Sequence, residues 1–99
     1  MKHISETVTP SIDVKVFRAL GDPKRVRIFE AICKTRQSVS ELAERLGIPI
    51  SNIAQHLRLL REAELVNTQR EGHYVMYEVN RERFITVLDV AARLIEKNA

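Results

Sequence analysis

Apolar residues recur along most of the chain at the three- and four-residue spacing of amphipathic helices. The first such stretch, residues 10–20, is predicted to form a helix. Pro10 follows Thr9 as a first-turn proline follows a capping residue, and Gly21 ends the pattern. The preceding residues, 1–9, are polar and are expected to form a flexible arm.

A second helix is predicted to begin at Asp22-Pro23, which repeats the same start signal. Three cations, Lys24, Arg25 and Arg27, lie in or near its first turn. The helix dipole disfavours positive charge there by roughly a few tenths of a kcal/mol. The sequence leaves three explanations open: Asp22 offsets the cations, they meet phosphate, or they are ordinary solvated side chains.

Two further helices are predicted around a tight turn. Ser38 and Glu41 have the spacing of a capping box at the start of the third helix. Gly47 supplies a left-handed stop, and a fourth helix follows over residues 50–62. The predicted core stripe of the fourth helix consists of Ile50, Ile53, Leu57 and Leu60.

Alternating apolar and polar residues predict two strands, residues 65–70 and 74–79, joined near Gly72. Asn80 then caps a last helix over residues 81–97, which is apolar around much of its circumference. One small domain cannot cover that surface, so we expect the helix to pair with the same helix of a second copy. The prediction is a single domain, mainly α with a small β-hairpin, in the order α-α-α-α-β-β-α.

Composition excludes several classes of protein. The chain has 99 residues, a formal charge of +3 and one cysteine, so a disulfide-stapled scaffold is ruled out. No stretch approaches the roughly 18 apolar residues of a membrane span, and we expect a cytoplasmic protein. A glycine loop for phosphate and a recognisable Cys-His pairing are both missing from the sequence, which argues against an enzyme. Cys33 is expected to be a buried, inert thiol, with a redox or thiol switch as the alternative.

The distribution of charge along the chain is more informative about function than the net charge of +3. No Asp or Glu occurs from Gly47 to Arg61, the segment that holds most of the fourth helix. Two helices joined by a tight turn, followed by a hairpin with a basic tip, predict a winged helix-turn-helix that places this helix in the major groove of DNA. A solvated polar face, or a surface for another protein, is the alternative.

Each polar side chain of that surface has a predicted role. Gln55 and His56 are expected to contact base edges, while Ser51 and Asn52 lie nearer the phosphate backbone. In the hairpin, Arg70 could enter a minor groove or touch phosphate. The full predicted DNA-binding set is Ser51, Asn52, Gln55, His56, Arg58, Arg70 and His73.

Four segments resemble the ArsR/SmtB family of bacterial winged-helix repressors: FRALGDPKRVRIFEAI (17–32), VSELAERLGI (39–48), SNIAQHLRLLREAELV (51–66) and REGHYVMYEV (70–79). The resemblance implies a homodimer joined through its first and last helices, and a repressor that an inducer releases from operator DNA. A twofold dimer is expected to bind an inverted repeat with half-sites about 10 base pairs apart. The expected interface residues are Val16, Phe17, Phe84, Leu88, Ala91 and Ile95.

The sequence departs from that family at two common metal sites. Ser38 and Ser40 stand where a Cys-x-Cys pair is found, and hydroxyls are poor replacements for thiolates. In the last helix Asp89 is present, but Ala91 stands where the first histidine is expected. We therefore predict no metal and no cofactor, and the residues identify no inducer.

Overall fold

The computed structural model describes the backbone of residues 13–98 and the side chains of residues 13–93. Its order, α-α-β-α-α-β-β-α, confirms a mainly helical chain with a small sheet and adds one short strand that the sequence did not predict. The elements are α1 (Val14–Ala19), α2 (Pro23–Lys34), β1 (Gln37–Ser38), α3 (Val39–Leu46), α4 (Ile50–Glu62), β2 (Val66–Glu71), β3 (Tyr74–Val79) and α5 (Arg81–Asn98).

The first helix of the described residues begins at Val14, within the stretch 10–20 that was predicted to be helical. Asp13 has an extended backbone, with φ −84° and ψ 105°, and its carboxylate accepts a hydrogen bond from the Lys15 amide at 2.9 Å. That geometry is an N-cap, so Asp13 marks the start of α1. The predicted start at Thr9 and Pro10, with the arm before it, lies outside the described residues.

The next two helix starts agree with their local signals. Asp22 accepts hydrogen bonds from the amides of Lys24 and Arg25, and Pro23 occupies the first turn of α2. Ser38 and Glu41 form the complete capping box at the start of α3. Each side chain satisfies amides that have no partner inside the helix.

The sheet is antiparallel, with β3 between β1 and β2. Gly72 and His73 connect β2 to β3, and Gly72 has a φ of 64°, a left-handed value that suits a residue without a side chain. Strand β1 pairs Gln37 with Tyr77 and Ser38 with Met76. We call the β2–β3 hairpin the wing.

The core lies between the helices and the inner face of the sheet. Ile53, Leu57 and Leu60 of α4 are fully buried, as predicted. Ile50 was predicted to join them, but it is exposed, and Ile48 of the preceding turn is buried instead. Helix side chains tilt towards the N-terminus, so an isoleucine in the first turn extends past the end of the core. The largest fully buried side chains are Ile28, Ile32, Leu42, Ile53, Leu57, Leu60, Leu65 and Val16.

Helix α5 is fixed to the rest of the protomer at its start. The Asn80 side-chain oxygen accepts a hydrogen bond from the Arg83 amide at 3.3 Å, as the predicted cap requires. Phe84 packs edge-on against Phe29 of α2, with ring centroids 5.1 Å apart. Within residues 13–98, no helix has the length and apolar composition that a bilayer crossing needs.

Candidate nucleic-acid interface

Helix α4 has one buried and one open face. Ser51, Asn52, Gln55 and Arg58 are exposed, and we call them the outer face of α4. Gly47 ends α3 with a φ of 68°, and a short turn leads from it into α4. The outer face therefore stands clear of the protomer's core, and no acidic residue lies between Gly47 and Arg61.

The N-terminus of α4 differs from those of α1, α2 and α3. Side chains of Asp13, Asp22 and Ser38 cap the first three, whereas no side chain described in residues 13–93 caps α4. Only the carbonyl of Pro49 accepts from this turn, taking the amides of Asn52 and Ile53 at 3.0 Å each. Open amides and the positive end of the helix dipole favour an anion such as phosphate.

His56 lies at the edge of the outer face and is half-buried. Its Nδ1 is 3.3 Å from Nη1 of Arg25. Because a guanidinium only donates, His56 Nδ1 must accept, and in the neutral ring the proton is on Nε2. One ring nitrogen is thus used inside the protomer, while Nε2–H remains as a donor.

Arg25 forms hydrogen bonds that connect two helices of the protomer. Its Nε donates to the Ala19 carbonyl at 2.7 Å, and Nη2 donates to the Arg18 carbonyl at 3.4 Å. Together with the His56 contact, these bonds join the end of α1 to α4. The amides of Arg25 and Lys24 donate hydrogen bonds to the Asp22 carboxylate, and these bonds lower the pKa of that carboxyl.

Asp22 and the internal hydrogen bonds of Arg25 offset the unfavourable interaction of this cation with the helix dipole. Arg27 is also engaged within the protomer, because it donates to the Leu46 carbonyl at 3.3 Å.

Arg58 carries less free charge than the sequence suggests. Its Nη1 is 3.1 Å from a carboxylate oxygen of Glu62, one turn further along α4. Both side chains are exposed, so the pair is weak and screened by salt. Arg58 can therefore exchange Glu62 for a phosphate at small cost.

The tip of the wing is basic and exposed. Arg70, His73 and Tyr74 are all exposed around the Gly72 turn. The adjacent acidic residue, Glu71, is paired with Arg36 at 2.6 Å. Arg36 was not singled out in the sequence, because its partner lies far along the chain and no local spacing connects them.

A second open surface is apolar and lies on α1 and α5. Phe17 is 44% exposed and Leu88 is 49% exposed, and Val14 and Ile85, each three residues earlier in the same helix, are also exposed. Val16 was expected at the subunit interface, but it is 1% exposed and belongs to the protomer's own core. Among the other expected interface residues, Phe84 and Ala91 are half-buried, and the side chain of Ile95 lies outside the described set.

Cys33 does not match the expectation of a buried thiol. It is exposed in the protomer, on the side of α2 near Val26, Phe29 and Phe84. Partial burial against these apolar groups raises the pKa of the thiol, as does Glu30, while Arg81 opposes the shift. The thiol form is therefore favoured over the thiolate at neutral pH.

The positions of the two family metal sites serve other purposes here. The Ser38 hydroxyl accepts from the Glu41 amide at 3.2 Å, and the Asp89 carboxylate is 3.1 Å from Arg93. Among the side chains described, those of residues 13–93, no three from His, Cys, Asp or Glu are grouped as a metal site would need.

A helix-turn-helix followed by a hairpin with a basic tip is the architecture of winged-helix DNA-binding proteins. A family model described as a helix-turn-helix domain matches residues 20–69. The transcriptional regulator KmtR of Mycobacterium tuberculosis is 42% identical over 69 residues, which cover 70% of this chain and 53% of KmtR. The chain thus spans about half the length of that relative. The transcriptional repressor SdpR of Bacillus subtilis is 31% identical over 65 residues, 66% of this chain and 72% of SdpR.

Solved structures agree. An ArsR-like transcriptional regulator from Rhodococcus sp. RHA1 superposes with a TM-score of 0.81 at 28% identity, covering 85% of this chain and 79% of that one. The chain belongs to the ArsR family of winged helix-turn-helix transcriptional regulators. The relatives are regulators of transcription, in keeping with the absence of catalytic motifs in the sequence.

Proposed function

We propose that the chain is a homodimeric repressor that binds an inverted-repeat operator in double-stranded DNA. The observation that carries this proposal is the outer face of α4, which is exposed, free of acidic residues from Gly47 to Arg61 and open at its N-terminal amides. A polar helix of this kind fits the major groove. A surface for another protein would have no need to exclude acidic residues.

The proposed contacts with DNA are of two kinds, contacts with phosphate and contacts with base edges. Ser51, Asn52 and the first amides of α4 bind phosphate, while Gln55 points outward from mid-helix and pairs with a base edge. His56 donates through Nε2, because Arg25 occupies Nδ1. Arg58, Arg70 and His73 add phosphate or minor-groove contacts on either side.

A second copy covers the apolar surface of α1 and α5. Phe17 and Leu88 are too exposed to be part of the protomer's core, and exposed large apolar side chains on both helices form the kind of surface that subunits cover. A twofold axis between α5 and its copy sets two α4 helices into successive major grooves on one side of the duplex.

The inducer that releases the repressor is not a metal ion bound at either of the family's two common metal sites. Ser38 and Asp89 are engaged with Glu41 and Arg93, and Ala91 offers no ligand atom. A thiol switch at Cys33 is the weaker alternative, because its raised pKa disfavours the reactive thiolate.

The test is a titration of fluorescent duplexes, first selected from a randomised pool, at several salt concentrations. We expect an inverted repeat to be selected, and affinity to fall steeply with salt, because phosphate contacts release counterions. Gln55→Ala should weaken binding to the selected duplex by about 1–3 kcal/mol. The matched control is Asn67→Ala, which removes an exposed amide from β2, outside the proposed contacts.

Two results would contradict the proposal. Failure to bind any duplex at low salt removes the DNA-binding function, and equal affinity of Gln55→Ala and wild type removes Gln55 from base recognition. Adding zinc, nickel, arsenite or an oxidant to the bound complex tests the signal. Release by zinc or nickel contradicts metal independence, and release by oxidant that Cys33→Ser abolishes favours the thiol switch.

A further inference from the structure

One arginine connects the wing to the segment before α3. Arg36 immediately precedes β1, and its Nη1 donates to the Gln69 side-chain oxygen at 3.3 Å. Its Nη2 is 2.6 Å from a carboxylate oxygen of Glu71. Because β3 lies between β1 and β2, this guanidinium reaches over the middle strand to the outer one.

Both partners lie on one face of β2. Gln69 and Glu71 are two residues apart, and alternate residues of a strand point to the same side. The planar guanidinium contacts both at once, next to the Gly72 turn. A single ammonium group lacks that fork of donors.

Stability alone does not explain the contact. Arg36 and Glu71 side chains are 46% and 41% exposed, and exposed ion pairs of this kind contribute little to stability. Their position is more informative. Glu71 is the acidic residue between Arg70 and the Gly72 turn, where an uncompensated carboxylate would repel a phosphate backbone.

We propose that Arg36 is a positioning residue for DNA binding: it holds the outer strand of the wing and cancels the charge of Glu71, so that Arg70 and His73 can approach phosphate. This inference rests on the proposed function, and it assigns Arg36 a role through Glu71 and Gln69. It does not require Arg36 itself to touch DNA.

A double-mutant cycle on the selected duplex tests this. Arg36→Ala should weaken binding by about three- to tenfold, whereas the same substitution in a Glu71→Gln background should cost much less, because the repelling carboxylate is gone. Arg36→Lys should restore part of the affinity through its charge. Thermal unfolding should change little in every variant, so a loss of folding cannot imitate the result.

Arg45→Ala is the matched control, because Arg45 is an exposed cation of α3 close to Arg36 and makes no ion pair with another described residue. Its cost should be the same with and without Glu71→Gln. Equal costs of Arg36→Ala in both backgrounds would overturn the inference while leaving DNA binding intact. A wild type that binds no duplex would overturn the proposed function, and the inference with it.

Discussion

The arginines of this chain differ in whether they bind other groups of the protomer or are open to solvent. Arg25 is engaged by two α1-end carbonyls and His56, and Arg36 by the wing, so neither is a free surface cation. Of the cations proposed to face DNA, Arg58 is paired only weakly with Glu62, and Arg70 is exposed at the tip of the wing. The net charge of +3 therefore does not show which cations are available to a phosphate.

The contact of Asp13 with Arg83 is expected to make a pH-dependent contribution to stability. Its side-chain hydrogen bond with Arg83, helped by the Lys15 amide, holds the pKa of the carboxyl below its ordinary value. The contribution is therefore complete above an ordinary pKa of about 3.9 and is lost as the pH falls through the lowered one. Asp13→Asn retains the cap but removes the charge, so it should lower the free energy of unfolding by about 0.5–1 kcal/mol at pH 7.

Urea unfolding of wild type and Asp13→Asn over a pH series measures this difference, which should shrink steadily once the pH drops below about 4. Asp89→Asn is the control, since it removes a carboxylate from a more exposed ion pair, the one with Arg93. A difference that stays constant down to acid unfolding would show that the Arg83 contact does not stabilise the charged form.

The helix starts distinguish α1, α2 and α3 from α4, the helix that we propose contacts DNA bases. Helices α1, α2 and α3 satisfy first-turn amides with Asp13, Asp22 and Ser38, whereas no described side chain caps α4. A natural protein tolerates a local deficit of this sort where binding supplies the missing interaction.

The capping box of α3 gives a matched pair of substitutions. Ser38→Ala removes the hydroxyl that accepts from the Glu41 amide and should lower the free energy of unfolding by about 1 kcal/mol. Ser40→Ala, two residues later on an exposed helix position, should be neutral or slightly stabilising, because alanine is the better helix former. Chemical denaturation of both variants measures the difference, and equal stabilities would contradict the role given to the cap.

Local signals account for what the sequence predicted correctly. Asp22-Pro23, the capping box and Gly47 act within one turn of chain, so the starts of α2 and α3 and the end of α3 could be predicted from them. Strand β1 could not, because two residues carry no period and its register depends on Tyr77 and Met76. The facing of Ile50 and Val16, and the contact between His56 and Arg25, depend on neighbours that only the folded chain brings together.

At the scale of the whole molecule, hydrogen bonds connect the start of α5 to the end of α4. The Asn80 side chain donates to the Glu64 carbonyl at 3.1 Å, and Arg83 Nε donates to the Ala63 carbonyl at 3.4 Å, both in the turn that follows α4. Arg83 also pairs with Asp13 at the start of α1. A dimer formed through α1 and α5 would therefore transmit its geometry directly to the two α4 helices and set the spacing between half-sites.

Leu88→Glu tests that arrangement. Leu88 is half exposed in the protomer, so the substitution should preserve helix content by circular dichroism. In a dimer it would bury an unpaired charge, at about 3–5 kcal/mol, which raises the dissociation constant by more than about a hundredfold. Sedimentation velocity should then find monomers at micromolar concentration, with operator affinity lost.

Val75→Glu is the control for Leu88→Glu, because it places the same charge on an exposed apolar position of the wing. It should remain dimeric, since β3 lies outside the proposed subunit contact. If Leu88→Glu also sediments as a dimer, α5 does not form the interface around this residue. Monomeric wild type would be the stronger contradiction, because a single α4 cannot read both halves of an inverted repeat and the operator model would then require another way to hold two copies on DNA.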